Sequence, residues 1–594
     1  MKSINFKILG LMLVTAALLS SCGLNRMVRN YDEGVRYTPE TNPLENHGGQ
    51  VAANVQGTIG EGYFHRRAMV EFTPVLVYED GEKELETVTL RGSRTTAEGQ
   101  MVNRDQQSTF NLNNVIAYQP EMKASELYIR ARLYREGRED RATTLPERKV
   151  ADGIILTSQR VKKDEDISLA PHGYEKETIV TEKANIYFAY MRHNLNWRLD
   201  LNRQDEAREK VENFKNFVNK GWKIHSMEVN AWASPEGEVA FNEELSENRA
   251  ETGRRYFEGL LEDWKKKREE KKKDEARRID PDEPKLEAQK SVVVNARGED
   301  FEGFMEKLQA SDLPDKQAIA NVINSQLKPA ESERRIKDMT LIYEEIEKIL
   351  EPLRRAELIF RAYEPKKTDE EIARLSTDDP SKLDVKELLY AATLTDDKET
   401  KLTIYKSAQE LHPRDYRGFN NAAYVYLKQG DADAAARNLE RANQLAPGNG
   451  HVQNNLGVIA AWERDIENAK SLYEAAIGQG VDAQYNIGNL MVLKGDYQAA
   501  LSSYSGRTCT HNVALAQLMT DNKDGAMNNL NCAPESAAVS YLKAIIGARQ
   551  NNTSLLYENL RRAVELDSDY AEIAAEDREF IQYFNQGEFQ EIVR

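Results

Sequence analysis

Residues 416–449 read YRGFNNAAYVYLKQGDADAAARNLERANQLAPGN. The stretch reads as two helices, and Pro447 stops the second. The stretch does not stand alone. Pro413 and Pro447 lie 34 residues apart, and Tyr405, Leu439 and Tyr473 recur at the same interval, as do Ala408, Ala442 and Ala476. A period in this range signals stacked supersecondary units that cannot bury their apolar faces singly. Small residues suit the places where two helices cross closely, and aromatic and Leu side chains fill the gaps between neighbours.

The pattern resembles the tetratricopeptide repeat, with Phe419, Tyr426, Gly430, Ala435, Leu439, Ala442 and Pro447 on the repeat's positions. A second copy begins at Asn454, and a third, arriving early and therefore shortened, begins at Tyr485. Beyond about residue 508 the match decays. The expectation is an all-α superhelix over 382–570 with a concave groove. Asn421, Asn455 and Asn486 share one site in successive repeats. Two readings stay open: amide contacts to a bound peptide backbone, or an asparagine that is merely common at this site. Cys509 and Cys532 flank a predicted helical hairpin whose ends are neighbours. A disulfide there would contribute roughly 3 kcal/mol; the alternative is two unpaired thiols, and the bridge is the expectation.

Upstream, residues 181–365 alternate strand and helix signals. Ile186-Tyr187-Phe188 opens a strand, and Ala207, Val211, Phe214 and Val218 follow at helical spacing. Ile224 to Val229 forms a second strand, and a helix runs from about Phe241 into the mixed charge run 265–278, which reads as solvated helix. Pro281 and Pro284 break it, and Val292-Val293-Val294 forms a third strand. Residues 301–352 look like a helical insertion, with Met339, Ile342, Tyr343, Ile346, Ile349 and Leu350 on one stripe, before a last strand at Arg354–Phe360. This order implies a mixed sheet with helices on one face, an α+β domain.

Within it, Asn242, Leu245, Ser246, Arg249 and Ala250 follow a strand and a small-residue turn. The strand order and this motif resemble the OmpA-like peptidoglycan-binding domain. The resemblance implies that Arg249 offers a planar fork of donors to a wall-peptide carboxylate. It also implies an aspartate fifteen residues earlier, where this chain has Ser234. Glu236 is the nearest carboxylate to substitute. Ser234, Glu236, Asn242, Leu245 and Arg249 are the peptidoglycan-binding candidates, against the alternative of a domain that kept the fold and binds protein or nothing.

The chain begins MKSINFKILGLMLVTAALLSSC. Lys2 and Lys7 precede an apolar run from Ile8 to Leu19, too short to span a membrane comfortably and suited to a signal peptide over 1–21. Leu19-Ser20-Ser21-Cys22 resembles a bacterial lipobox, which implies lipidation of Cys22 and anchoring by acyl chains. No Asp follows Cys22, which by resemblance to lipoprotein sorting favours the outer membrane, and Gly23-Leu24-Asn25-Arg26 lacks the acidic cluster that surface-exported lipoproteins of the Bacteroidota tend to carry, which favours the periplasmic face. Residues 22–45, with Pro39 and Pro43, read as a tether. Residues 46–180 show short alternating strands with turn signals and are expected as a β-sandwich, a docking domain or a spacer. Residues 366–381 read as a linker and 571–594 as a C-terminal segment.

The net charge of -17 argues against nucleic-acid binding. The eight histidines are scattered, with no metal-ligand spacing. No nucleophile elbow, phosphate loop or dinucleotide fingerprint occurs. The expectation is a non-enzymatic envelope scaffold without cofactors, recruiting protein partners through its repeats and tethering to peptidoglycan through its middle domain. The layout resembles multidomain lipoproteins of the Bacteroidota. The alternatives are a surface-exposed adhesin, or a subunit of an envelope assembly or secretion complex that binds no peptidoglycan.

Overall fold

The structure is a computed structural model that describes residues 22–79, 81–235, 238–274, 291–313, 316–324, 331, 334–335 and 343–594. The expected signal peptide 1–21, Glu236, Pro281, Pro284, Met339, Ile342 and the end of the 265–278 charge run lie outside the described residues, as do the side chains of Cys22 and Tyr343. Two units emerge: residues up to Pro171 together with Thr395–Arg594, and His172–Leu394.

The first half of the discontinuous unit is rich in sheet. Val35–Pro39, Val55–Ile59 and Ser108–Leu112 form one antiparallel sheet, and Ala68–Tyr78 pairs with Glu126–Arg135 at the centre of a larger one. Alternate residues of each strand point into one shared core, where the Phe72 and Phe110 rings stack 4.6 Å apart. Residues 22–45 depart from the expected tether. A helix over Cys22–Arg29 and strands over Val35–Pro39 and Leu44–His47 bring Met27, Tyr31, Val35 and Leu44 into that core. Leu24 and Met27 lie three positions apart on that helix, Tyr31 opens the short helix Tyr31–Gly34, and all three are buried in the core. The far boundary also moves. Sheet pairing here ends at Ile154–Ile155, and residues 160–171 leave the domain as an extended strap.

The helical half is a run of hairpins. Tyr416–Gln429 pairs with Ala432–Leu445, and Gly450–Trp462 with Ile466–Gly478. Gly430 takes a left-handed φ of 81° to close the first helix, and Asp431 caps the next by accepting from the Ala434 N–H. Glycine is required at Gly457 for a second reason, since a Cβ there would lie 2.6 Å from the Tyr473 ring. The third repeat is short: its second helix, Tyr497–Ser503, has seven residues. Where the sequence match fades, hairpins continue through His511–Met519 with Lys523–Cys532, and Ala537–Arg549 with Thr553–Leu566. The C-terminal segment packs Phe580, Phe589 and Ile592 onto the last hairpin and so covers its open apolar face.

The second unit holds a mixed four-stranded sheet. Ile179–Tyr187, Arg355–Tyr363, Ile224–Ala233 and Val293–Glu299 lie side by side in that order, the last pair parallel and the others antiparallel. Helices Asp205–Asn219 and Val239–Asp274 pack Phe214 and Phe257 against Val229, Leu358 and Phe360. The helical insertion builds a small core of its own from residues such as Phe304, Leu308, Ile319 and Ile346. The expected linker 366–381 contains a helix, Asp369–Asp378, because Thr368 caps it and Ile372 and Leu375 have a core to enter. The helix Val385–Ala391 also belongs to this unit, so the repeats of the other unit begin after Leu394 and not at 382.

Candidate peptide-binding groove

The first helices of successive hairpins carry buried asparagines. Asn421, Asn455, Asn486 and Asn512 are at most 1% exposed, and so are Asn420, Asn454 and Asn489. An amide taken out of water without partners costs several kcal/mol, so a row of them requires a matching row of donors and acceptors. Residues 160–171 supply it. Asn421 accepts from the Ala170 N–H at 2.9 Å and donates to the Ala170 C=O at 3.0 Å. Asn455 does the same with Ser168 at 2.7 Å in both directions. Asn486 takes Asp166 at 2.7 and 3.0 Å, and Asn512 takes Lys162 at 2.8 and 2.9 Å.

Each asparagine thus mimics the edge of a β-strand, reading the N–H and C=O of one residue. Alternate strap residues, 166, 168 and 170, meet successive repeats, as the two-residue period of an extended chain dictates. The strap runs opposite to the repeat order. Asn420 and Asn454 form a second row, donating to the Ser168 and Asp166 carbonyls at 3.2 and 2.8 Å. The two rows are cross-linked: Asn455 donates to Asn420 at 3.1 Å and Asn486 to Asn454 at 3.0 Å. Such networks hold each amide in one orientation.

Strap side chains fill separate pockets. Arg160 pairs with Asp577 at 2.5 Å and stacks 4.4 Å over the Tyr541 ring. Asp164 accepts from the Tyr485 hydroxyl at 2.9 Å and from Asn512 at 2.7 Å. Glu165 accepts from the Trp462 indole at 2.8 Å. Asp166 pairs with Arg507, Ser168 Oγ meets His451 Nδ1 at 2.7 Å, and Ala170 is buried. Burial raises Asp164, Glu165 and Asp166 above the ordinary carboxylate range; hydrogen bonds from Tyr485 and Trp462 offset part of this for Asp164 and Glu165, and Arg507 part for Asp166. Burial likewise pushes His511 down to about 4, so the imidazole beside Asn512 is neutral.

The sheet-rich half is also fastened to the repeats away from the groove. His47 Nδ1 lies 2.7 Å from the Tyr497 hydroxyl, Thr157 donates to buried Glu579 at 2.6 Å, and Lys123 pairs with Glu576 at 2.7 Å. Cys509 and Cys532 are bonded, S–S 2.12 Å, and tie the ends of the hairpin that presents Asn512.

The wall-peptide candidates are arranged differently. Arg249 is 1% exposed and donates to the backbone carbonyls of Arg192 at 2.9 Å, Trp232 at 2.9 Å and Ala189 at 3.3 Å. Three of its N–H groups therefore meet main-chain carbonyls. Ser234 accepts from Arg354 at 3.2 Å, and Asn242 donates to Glu299 at 2.7 Å and to the Ser234 carbonyl at 3.3 Å. Leu245 is buried at 7% exposure. Ser234 and Asn242 are therefore brought together, and Arg249 is directed into the interior beside them.

Asn512, the second asparagine row and the strap itself were not singled out by sequence. The rows Asn420/Asn454 and Asn421/Asn455 keep the 34-residue interval, but Asn486 and Asn512 follow after 31 and 26 residues, which hides the series. Among the described residues no cluster of His, Cys, Asp or Glu is placed to hold a metal ion. No described helix is long and apolar enough to cross a membrane.

One family model agrees with the hairpin geometry of residues 416–449. A family model described as tetratricopeptide repeat matches residues 416–449. No curated protein sequence matches the chain. Among solved structures, PilF of Pseudomonas aeruginosa is 13% identical with a TM-score of 0.27, over 35% of this chain and 97% of that one. PilW, described as a widely conserved type IV pilus biogenesis factor, is 12% identical with a TM-score of 0.26, over 39% and 100%. A tetratricopeptide repeat protein from Parabacteroides merdae is 13% identical with a TM-score of 0.25, over 49% and 98%. Residues 416–449 are a tetratricopeptide repeat, one member of a longer hairpin stack whose inner face holds a segment of its own chain.

Proposed function

We propose that the protein is a non-enzymatic scaffold of the bacterial envelope that works by holding other proteins. The observation that carries this reading is the asparagine ladder, which grips main-chain groups of an extended segment. Such a surface binds peptide and performs no chemistry on it. The anchor is proposed from the N-terminal sequence: lipidation at Cys22, outer-membrane attachment and a periplasm-facing orientation. In-cell crosslinking with mass spectrometry tests the whole reading. Crosslinks from residues 395–594 to a second envelope protein are expected, together with an acylated Cys22. An uncrosslinked chain without acyl groups would overturn it.

A wall-tethering role for the middle domain is a second reading. The strand Ile224–Ala233 and the long helix Val239–Asp274 beside a mixed sheet support its OmpA-like resemblance. The direction of Arg249 weighs against it, since a ligand carboxylate would have to compete with three backbone carbonyls. Co-sedimentation of the purified chain with peptidoglycan, abolished by Arg249→Ala in a variant that stays folded, is the outcome this reading requires.

A further inference from the structure

We propose that the groove selects extended peptides of a definite pattern and that residues 160–171 hold it shut in cis, so that a peptide in trans enters only by displacing the strap. The inference rests on reading the repeats as a protein-binding surface.

Asn421, Asn455 and Asn486 contribute affinity for any extended backbone, because they meet the strap only at N–H and C=O groups, whereas Asn512 also donates to the Asp164 carboxylate. Selectivity lies in the pockets beside them. One end takes a cation, where Arg160 sits between Asp577 and the Tyr541 ring. Four and five residues further on, two acids are received, Asp164 by Tyr485 and Glu165 by Trp462. Ten residues on, Ala170 is 1% exposed, so only a small side chain fits. The ligand class is therefore an extended segment with a leading arginine, an acidic pair and a small residue at these intervals.

Displacement is feasible because the strap is not what joins the two halves of its unit. The contacts of His47, Thr157 and Lys123 with the repeats lie outside the groove and persist if the strap lifts. The strap has no strand partner and no helix of its own, and lifting it returns three neighbouring carboxylates to water. A site whose open form is a minor population binds with an apparent affinity reduced by that fraction, which is the expected property of the parent chain.

The test uses the full chain and a fluorescein-labelled peptide with the sequence of residues 159–172, QRVKKDEDISLAPH. Asp166→Pro with Ser168→Pro removes the two strap N–H donors to Asn486 and Asn455 and leaves the groove intact. The double variant is expected to bind the peptide at least roughly ten-fold more tightly than the parent, and adding Asn455→Ala should remove that gain. Equal binding by parent and folded double variant, or equal binding of a scrambled peptide, would overturn the proposal. Should the variant fail to fold, hydrogen exchange on the parent decides. A saturating excess of peptide must speed exchange of the 162–170 amides, and unchanged exchange refutes displacement. Capture of an envelope partner alongside such a negative result would sink this proposal and leave the scaffold reading standing.

Discussion

The repeat groove and the middle-domain helix both place buried polar side chains where a ligand-gripping role is plausible, and they use them in opposite ways. In the groove, asparagines from successive hairpins converge on a segment that lies on the stack from outside. In the middle domain, Arg249 reaches inward to three carbonyls of its own unit. The difference teaches that a donor-rich side chain marks a ligand site only when its partner is separable from the fold that carries it. The strap is a segment apart from the hairpins it lies on, whereas the carbonyls of Ala189, Arg192 and Trp232 belong to the same unit as Arg249.

The sharpest way to break this contrast is Arg249→Ala. If the guanidinium is structural, its loss strands three part-buried acceptors and should cost on the order of 3 kcal/mol, visible as an earlier melting transition of the 172–394 unit. A change below about 1 kcal/mol would return Arg249 to the list of ligand-binding groups. Next in size is reduction of Cys509–Cys532, whose sequence separation is 23. Loss of that closure should cost roughly 3 kcal/mol and loosen the hairpin carrying Asn512. Differential scanning calorimetry with and without reductant reads it, with hydrogen exchange locating it.

Asn455→Ala follows. It leaves the Ser168 N–H without its amide acceptor and the Ser168 C=O with Asn420 as its remaining amide donor, at a cost of about 2 kcal/mol. Because the strap can hydrate, the loss should appear as faster exchange at residues 166–170 with little change in overall melting. Global unfolding instead would erase the distinction between groove and middle domain. The smallest effect is pH. The strap acids have folded values raised above their free ones, so their ionisation opposes docking. Strap protection should therefore increase as pH falls through the raised values toward the ordinary carboxylate range, and be lowest at neutral pH. His511 acts in the other direction: below about 6.5 its buried neutral ring progressively costs stability until about 4. Comparing strap exchange at pH 7 and 6 in the parent and in His511→Gln separates the two.

Much of the fold was readable because it is periodic. The 34-residue interval locates the hairpins, and alternating strand and helix signals outline the middle sheet. Residues 22–45 escaped because Pro39 and Pro43 look like linker while Leu24, Met27 and Tyr31 are too few to show a period. The strap escaped for a related reason. KKDEDIS is charged and carries no strand alternation, so nothing local distinguishes it from an exposed connection. Its conformation is imposed by asparagines some 250 to 350 residues away.

What the sequence by itself determined is the set of repeating surfaces up to about residue 508: that helices there stack in repeats, and that Asn421, Asn455 and Asn486 occupy one site in successive copies. These follow from local periodicity, which each segment carries in its own residues. Only the tertiary structure decided where those polar groups point, toward residues 162–170 in the groove and into the interior at Arg249. A buried donor is satisfied by whichever acceptor the folded chain brings within about 3 Å, and that choice is made by parts of the chain far apart in sequence.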